Sequence, residues 1–157
     1  MNVVKSIFAL ALLCCTLVGV VLGAYIMRAP ENGRLSELAQ VIQSDDGTII
    51  NLRLTEDGYW REKASISKID PTLIDVLIAY EDQRFWSHGG VDPKAVFRAS
   101  YNFLKSGRIT SGASTLTMQT VRLINPALAQ RSIPNKIRQM IEAVRLERPW
   151  SKEEILE

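Results

Sequence analysis

After residue 15 the chain has no cysteine, and its 157 residues include a single histidine. The first absence excludes a disulfide or a cysteine-ligated metal from everything beyond Cys15. The second argues against a multi-histidine zinc centre and against a conventional Ser-His-Asp triad, since only His88 could serve. Internal repeats and low-complexity tracts are also missing. A further absence is local: residues 7–27 form a run of 21 without one charged side chain. As a helix such a run rises ~30 Å at about 1.5 Å per residue, enough to span a bilayer's hydrocarbon core. Lys5 before it and Arg28 after it give only a weak orientation signal. A short positive N-terminus ahead of an apolar run leaves that terminus in the cytoplasm and the rest outside. A cleaved signal peptide is the competing reading, with Val21-Leu22-Gly23 as its cleavage site. The run is long for that purpose, so an uncleaved anchor over residues 1–28 is the expectation. Leu13 before Cys14 and Cys15 does not make a lipidation site.

The formal net charge of +2 conceals a segregation. Residues 29–82 carry 5 basic and 11 acidic side chains, whereas residues 83–148 carry 11 basic and 3 acidic. A basic block downstream of a membrane anchor points to anionic head groups or a phosphorylated lipid. Nucleic acid, the other usual partner of such a block, does not suit an exported domain. A plain solvated basic surface is the bland alternative.

Residues 29–35 read as a polar linker. Two β-prone stretches, 41–44 and 48–54, flank Asp45-Asp46-Gly47, a hairpin signal. Tyr59 and Trp60 are expected to pack this ribbon onto the domain or the membrane interface, and residues 29–64 form linker and hairpin. Beyond residue 70 the chain reads as helical. Asp70-Pro71 and Asp92-Pro93 each pair an N-cap with a proline suited to the first turn. Leu73, Ile74, Leu77 and Ile78 recur at helical spacing, as do Ala95, Val96, Ala99, Phe103 and Leu104 before Gly107. Residues 111–114 form a small-residue loop before a helix from Thr115 to about Asn125, which Pro126 ends. Pro134 opens another, with Ile137, Met140, Ile141, Val144 and Leu146 turned largely to the core. Ser151-Lys152-Glu153-Glu154 is a capping box for a helix of one and a half turns. Such a stub cannot persist alone, so the natural domain is expected to continue past Glu157.

Chemistry concentrates where the first of these helices ends, at Glu81-Asp82-Gln83-Arg84-Phe85-Trp86-Ser87-His88-Gly89-Gly90. Two adjacent carboxylates there meet the negative end of a helix dipole and each other. Both effects favour the neutral acid, which suits a general base. Taken alone, a solvated acidic helix end is the commoner meaning of such a pair.

Three stretches in order change that weighing. Glu81-Asp-x-x-Phe85-x-x-His88-x-Gly90 resembles the first signature of the peptidoglycan glycosyltransferases, family 51. Gly112-Ala-Ser114-Thr115-Leu-Thr117-Met-Gln119-x-x-Arg122 resembles the second. Lys136-Ile-Arg138-Gln139, continuing through Ala143, Arg145, Leu146 and Glu147, resembles the third, and residues 151–157 the start of the fourth. The likeness covers residues 65–157 and implies a mainly α, lysozyme-like domain beside the membrane. It further implies polymerisation of lipid II into glycan strands, with release of undecaprenyl pyrophosphate, at the outer face of a bacterial cytoplasmic membrane. Other cell-wall synthesis proteins are then expected neighbours. On that resemblance Glu81 is the general base. The substrate-binding positions become Asp82, His88, Gly112, Ser114, Thr115, Gln119, Arg122, Arg131, Arg138 and Gln139. Arginine forks suit pyrophosphate oxygens, and positive charge is needed where the leaving group's charge grows.

Several of these positions also have plain structural meanings. Ser114 is as readily a helix N-cap as a substrate contact. His88 is expected to orient Glu81 by hydrogen bonding. Phe85 and Trp86 read as core or membrane contacts. The chain departs from the family where Gln139 replaces a usual glutamate and Asn135 a usual arginine. The glutamate's supporting role includes a divalent metal, Mg or Mn, at the pyrophosphate, and glutamine holds a metal poorly. Two rival readings follow: a lysozyme-like hydrolase or lytic transglycosylase, and an inactive anchored fragment that binds lipid II or a partner synthase.

Overall fold

The Asp–Pro and Asp–Gly pairs each mark a boundary that the chain uses. The computed structural model describes residues 2–28, 33–108 and 112–157, among which six α-helices and one hairpin follow in order. Residues 29–32 of the expected linker and Ser111 of the small-residue loop lie outside the described residues. The first helix, α1, runs Asn2–Met27, and its stretch Val4–Met27 is long and apolar enough to cross a membrane. Among the described residues little packs against it before its last turn, and of its described side chains only Ile26 is half-covered. A helix apolar on every side and uncovered over most of its length fits a transmembrane helix.

Strands β1 (Gln40–Gln43) and β2 (Ile49–Arg53) pair antiparallel, Val41 opposite Leu52, with a register shift between Ile42 and Gln43. Gly47 closes the hairpin at φ +83°, a left-handed conformation suited to glycine. Tyr59 and Trp60 are 56% and 50% exposed, so they do not pack the ribbon onto the domain. The turn that carries them bonds to itself: Thr55 and Tyr59 exchange backbone and hydroxyl hydrogen bonds, which leaves the rings outside.

Helices α2 (Pro71–Glu81) and α3 (Pro93–Ser106) begin as read, on Asp70 and Asp92. The Asp70 carboxylate accepts Thr72 N–H at 2.8 Å, and Asp92 accepts Lys94 and Ala95 N–H at 3.0 and 3.1 Å. Helix α4 (Leu116–Ile124) is capped by Thr115, and α5 (Ile133–Leu146) by Ser132, one residue before the expected start. Helix α6 (Lys152–Leu156) has both halves of the capping box. Its short length is offset by tertiary contact. Ile155 is buried, and Lys152 donates to Glu147 at 2.6 Å and lies 4.3 Å from the Phe85 ring centre.

The core sits where α4 crosses α5. Phe85, Met118, Ala143 and Leu146 are all at most 1% exposed, and Ile78 brings α2 to them. The apolar stripes extend further than this core does. Leu73, Leu77, Phe103, Leu104 and Ile137, expected inside, are exposed. On α2 the core is reached only by Ile78 and half-buried Ile74, and on α3 Ala95 alone among the apolar side chains is buried. On α5 Gln139, Ala143, Arg145 and Leu146 are buried, and half-buried Met140 packs against the core as expected.

Candidate active site

The site begins with one residue of positive φ. Gly90 has φ +86°, and a Cβ built on it would lie 2.4 Å from the Ala143 carbonyl oxygen. Only glycine lets this loop lie flat on α5. Its own carbonyl accepts the Thr115 hydroxyl at 2.6 Å. Thr115 also accepts Met118 N–H at 3.1 Å, so one side chain caps α4 and ties it to the loop. That assigns the N-cap to Thr115 and leaves Ser114 free for another use.

The two adjacent carboxylates are parted in environment. Asp82 is 6% exposed and turned inward, with both oxygens 3.0 Å from His88 Nε2 and Oδ2 accepting Leu116 N–H at 3.0 Å. It therefore lies at the N-terminus of α4, where backbone donors and helix dipole favour an anion. His88, 3% exposed at its side chain, orients Asp82 and not Glu81 as expected. Glu81, one residue earlier on α2, is exposed. Its Oε2 accepts Gln119 Nε2 at 2.8 Å, and Oε1 has no partner among the described residues. Gln119 is placed for this because Asp82 fixes the start of α4 one turn before it.

Glu81 opens into a cavity of about 490 Å³ lined also by Asp82, Gly112, Ser114, Thr115 and Gln119. Six of the expected positions thus come together. Two cations at its wall, Arg84 and Arg98, and exposed Tyr80 were not anticipated. Arg84 donates from Nε to Asp92 at 2.9 Å and from a second nitrogen to the same oxygen. Burial pushes the Asp92 carboxyl up, but Arg84 and the two helical N–H groups outweigh that and hold it below the usual carboxylate range. A basic residue within a signature, eight positions before an acid–proline cap, was the available signal for Arg84.

A second cluster adjoins the cavity through Ser114, whose hydroxyl accepts Lys136 Nζ. Burial, and then the neighbouring Arg122, push the Lys136 ammonium below the ordinary lysine value. Arg122 Nη1 donates to Gln139 Oε1 at 3.3 Å, while Gln139 Nε2 donates to the Leu128 carbonyl at 2.6 Å. Lys136 went unselected by sequence, although it is one helical turn before Gln139 in the same signature. Arg131 and Arg138 are exposed and outside this cluster. Arg138 precedes inward-facing Gln139 by about 100° round α5, which sends it outward.

Gln139 is also the position on which a metal would depend. Its carbonyl oxygen faces a guanidinium and its amide is spent on Leu128, and the described residues contain no group of three acidic, histidine or cysteine side chains. That donor set does not fit a divalent cation.

A family model described as Transglycosylase matches residues 46–157, taking in every element from β2 onward. The chain belongs to the transglycosylase family. Penicillin-binding protein 1C of Escherichia coli is 44% identical over 118 residues, covering 75% of this chain and 15% of that protein. Penicillin-binding protein 1A of the same organism is 35% identical over 169 residues, covering 100% of this chain and 19% of its own length. Penicillin-binding protein 1F of Bacillus subtilis is 32% identical over 136 residues, or 87% and 18%. The chain therefore spans less than a fifth of each of these transglycosylase relatives.

Proposed function

We propose that the chain carries a peptidoglycan glycosyltransferase site that polymerises lipid II at the outer face of a bacterial cytoplasmic membrane. One observation carries the reading: a solvent-facing glutamate, held by Gln119 through one oxygen only, lies in a cavity that Ser114 joins to a cluster of cationic side chains. The free oxygen of Glu81 takes the proton from the acceptor sugar's 4-hydroxyl as that oxygen attacks the donor's anomeric carbon. The bond from that carbon to the pyrophosphate oxygen breaks, and undecaprenyl pyrophosphate leaves with the electron pair. Charge grows on that oxygen, which is the event a cationic wall stabilises. Lys136 with Ser114, and Arg122 behind them, are assigned to the pyrophosphate. Gln119 holds Glu81 in the attacking direction. Asp82 and His88 position rather than touch substrate. No step is routed through a metal.

The same cations weigh against a lysozyme-like hydrolase, because glycan cleavage releases no pyrophosphate. The chain reconstituted in liposomes is to be given lipid II and, separately, purified sacculi. Growing glycan chains from lipid II are expected. Degraded sacculi with no polymer would replace this reading by the hydrolase. Lipid II binding without turnover would replace it by the inactive, substrate-holding fragment.

A further inference from the structure

Helix α1 stands clear of the domain except at its last turn, and there the contact is largely polar and borders a cavity of about 500 Å³. The Tyr25 hydroxyl donates to Glu142 Oε1. Arg145 donates from Nη1 to Glu142 Oε2 and from Nη2, at 3.4 Å, to the carbonyl of Arg28. Its guanidinium carbon lies 4.1 Å from the centre of the Tyr25 ring. Arg145 is only 8% exposed, so a cation is buried between a carboxylate, an aromatic face and the carbonyl end of the apolar helix. Each partner meets a need of the other two. The arginine requires a counter-charge, the helix end requires a donor for its free carbonyls, and the tyrosine hydroxyl requires an acceptor.

The chain is fastened a second time just beyond. Gly33, at φ +53°, lies so close to the end of α4 that a Cβ would stand 2.7 Å from the Ile124 carbonyl oxygen. Both fastenings fall on the two helices that carry the site. Glu142 and Arg145 are one and two turns past Gln139, about 4.5 and 9 Å along α5. Lys136 is one turn before it. The helix carrying Lys136, which reaches the cavity through Ser114, is thus the one joined to the apolar span.

We propose that Tyr25, Glu142 and Arg145 form a latch that holds α5, and with it the cavity, at a fixed height and angle to the membrane. The proposal rests on the lipid II reading for its purpose: a substrate tethered in the bilayer presents its pyrophosphate at one depth, and a site that rocks meets it less often. The three are positioning residues, since none of them lies at the reacting atoms.

The test uses the whole chain in liposomes, with Cys14 and Cys15 replaced by serine and spin labels at Leu22→Cys and Ile137→Cys. Both positions are exposed and outside the latch. One narrow distance distribution between the labels is expected for the parent, and a broad one for Tyr25→Leu and Arg145→Gln, with Tyr25→Phe between them because it keeps the ring. Tyr25 lies outside the core, so its variants stay informative where Arg145→Gln fails to fold. In the same liposomes KM for lipid II rises by about tenfold in Tyr25→Leu, within what a small misplacement costs an enzyme. Turnover of a short-chain, water-soluble lipid II analogue stays at the parent's value. An unbroadened distance in both variants overturns the latch whatever the enzyme does. A broadened distance with an unchanged KM overturns its positioning role. If the parent makes no polymer, the lipid II reading has failed, and the distances alone still decide for or against the latch.

Discussion

The two sides of the cavity meet their charges in opposite ways. On the side of the turn after α2, each buried carboxylate is saturated. Asp82 is shared by His88 and the Leu116 N–H, and Asp92 by Arg84 and two helical N–H groups. On the side of the cluster that adjoins the cavity through Ser114, Lys136 of α5 and Arg122 of α4 have only neutral acceptors among the described residues, a serine hydroxyl and a glutamine carbonyl. Carboxylates paired in this way have little left for a ligand and serve to hold shape. Cations with neutral partners retain most of their charge for an incoming anion. Glu81 belongs to neither side, and its place between them makes it the base in the proposed reaction.

The hardest break in this division is Glu81→Gln. The amide keeps the size and the contact with Gln119 but cannot take a proton. Polymerisation should fall by about 10²–10⁴-fold, the usual contribution of a general base, with lipid II binding largely kept. Polymer formed by this variant at the parent's rate would remove Glu81 from the mechanism. Gly90→Ala strikes the saturated side. The left-handed φ and the overlap with the Ala143 carbonyl act together, and overpacking of this kind costs about 1–3 kcal/mol before the backbone strain is added. Denaturant midpoints measure this, and an unshifted midpoint would mean that the loop is not pinned to α5. Asp82→Ala comes next. It orphans the Leu116 N–H and the His88 ring nitrogen, at about 1–3 kcal/mol for a buried group left unpaired. A variant as stable as the parent that has lost only substrate affinity would return Asp82 to the substrate contacts.

The sequence carries much of this because the caps are local. Asp70, Asp92, Ser151 and Gly107 each act within a few residues, so their meaning is visible in the string. The motif spacing likewise brought Glu81, Ser114, Thr115 and Gln119 to one cavity. What was not legible depends on distant partners. Nothing near Asp82 says that its acceptor site is filled by an N–H 34 positions later, or that His88 turns to it and not to Glu81. Helical periodicity marks a stripe such as Leu73, Leu77 and Ile78 but cannot say how much of it a neighbour covers. The basic block is the signal on which the anionic partner of the proposed reaction rests. Choosing Lys136 and Arg84 over Arg131 and Arg138 required the rotation of α5 and the path of the turn.

The finest test concerns Lys136 and is read in pH. Burial and Arg122 hold its folded value below that of an ordinary lysine, so the folded state disfavours the ammonium. The sign follows: the destabilisation is full while the group is protonated in both states, and is relieved as pH rises from the depressed folded value to the unfolded one. A pyrophosphate beside Lys136 acts the other way, favouring the ammonium and raising its value again. Binding should therefore take up a proton in that alkaline window, and affinity should begin to fall at a lower pH than a free lysine would dictate. Calorimetric titration with inorganic pyrophosphate, in buffers of different ionisation enthalpy, reads both quantities. Lys136→Arg keeps its charge throughout and should move the decline upward while abolishing the uptake. Because the ligand's own protonation is common to both proteins, the difference between them belongs to residue 136. Superimposable profiles would mean that the unsaturated side of the cavity is not where the pyrophosphate lies.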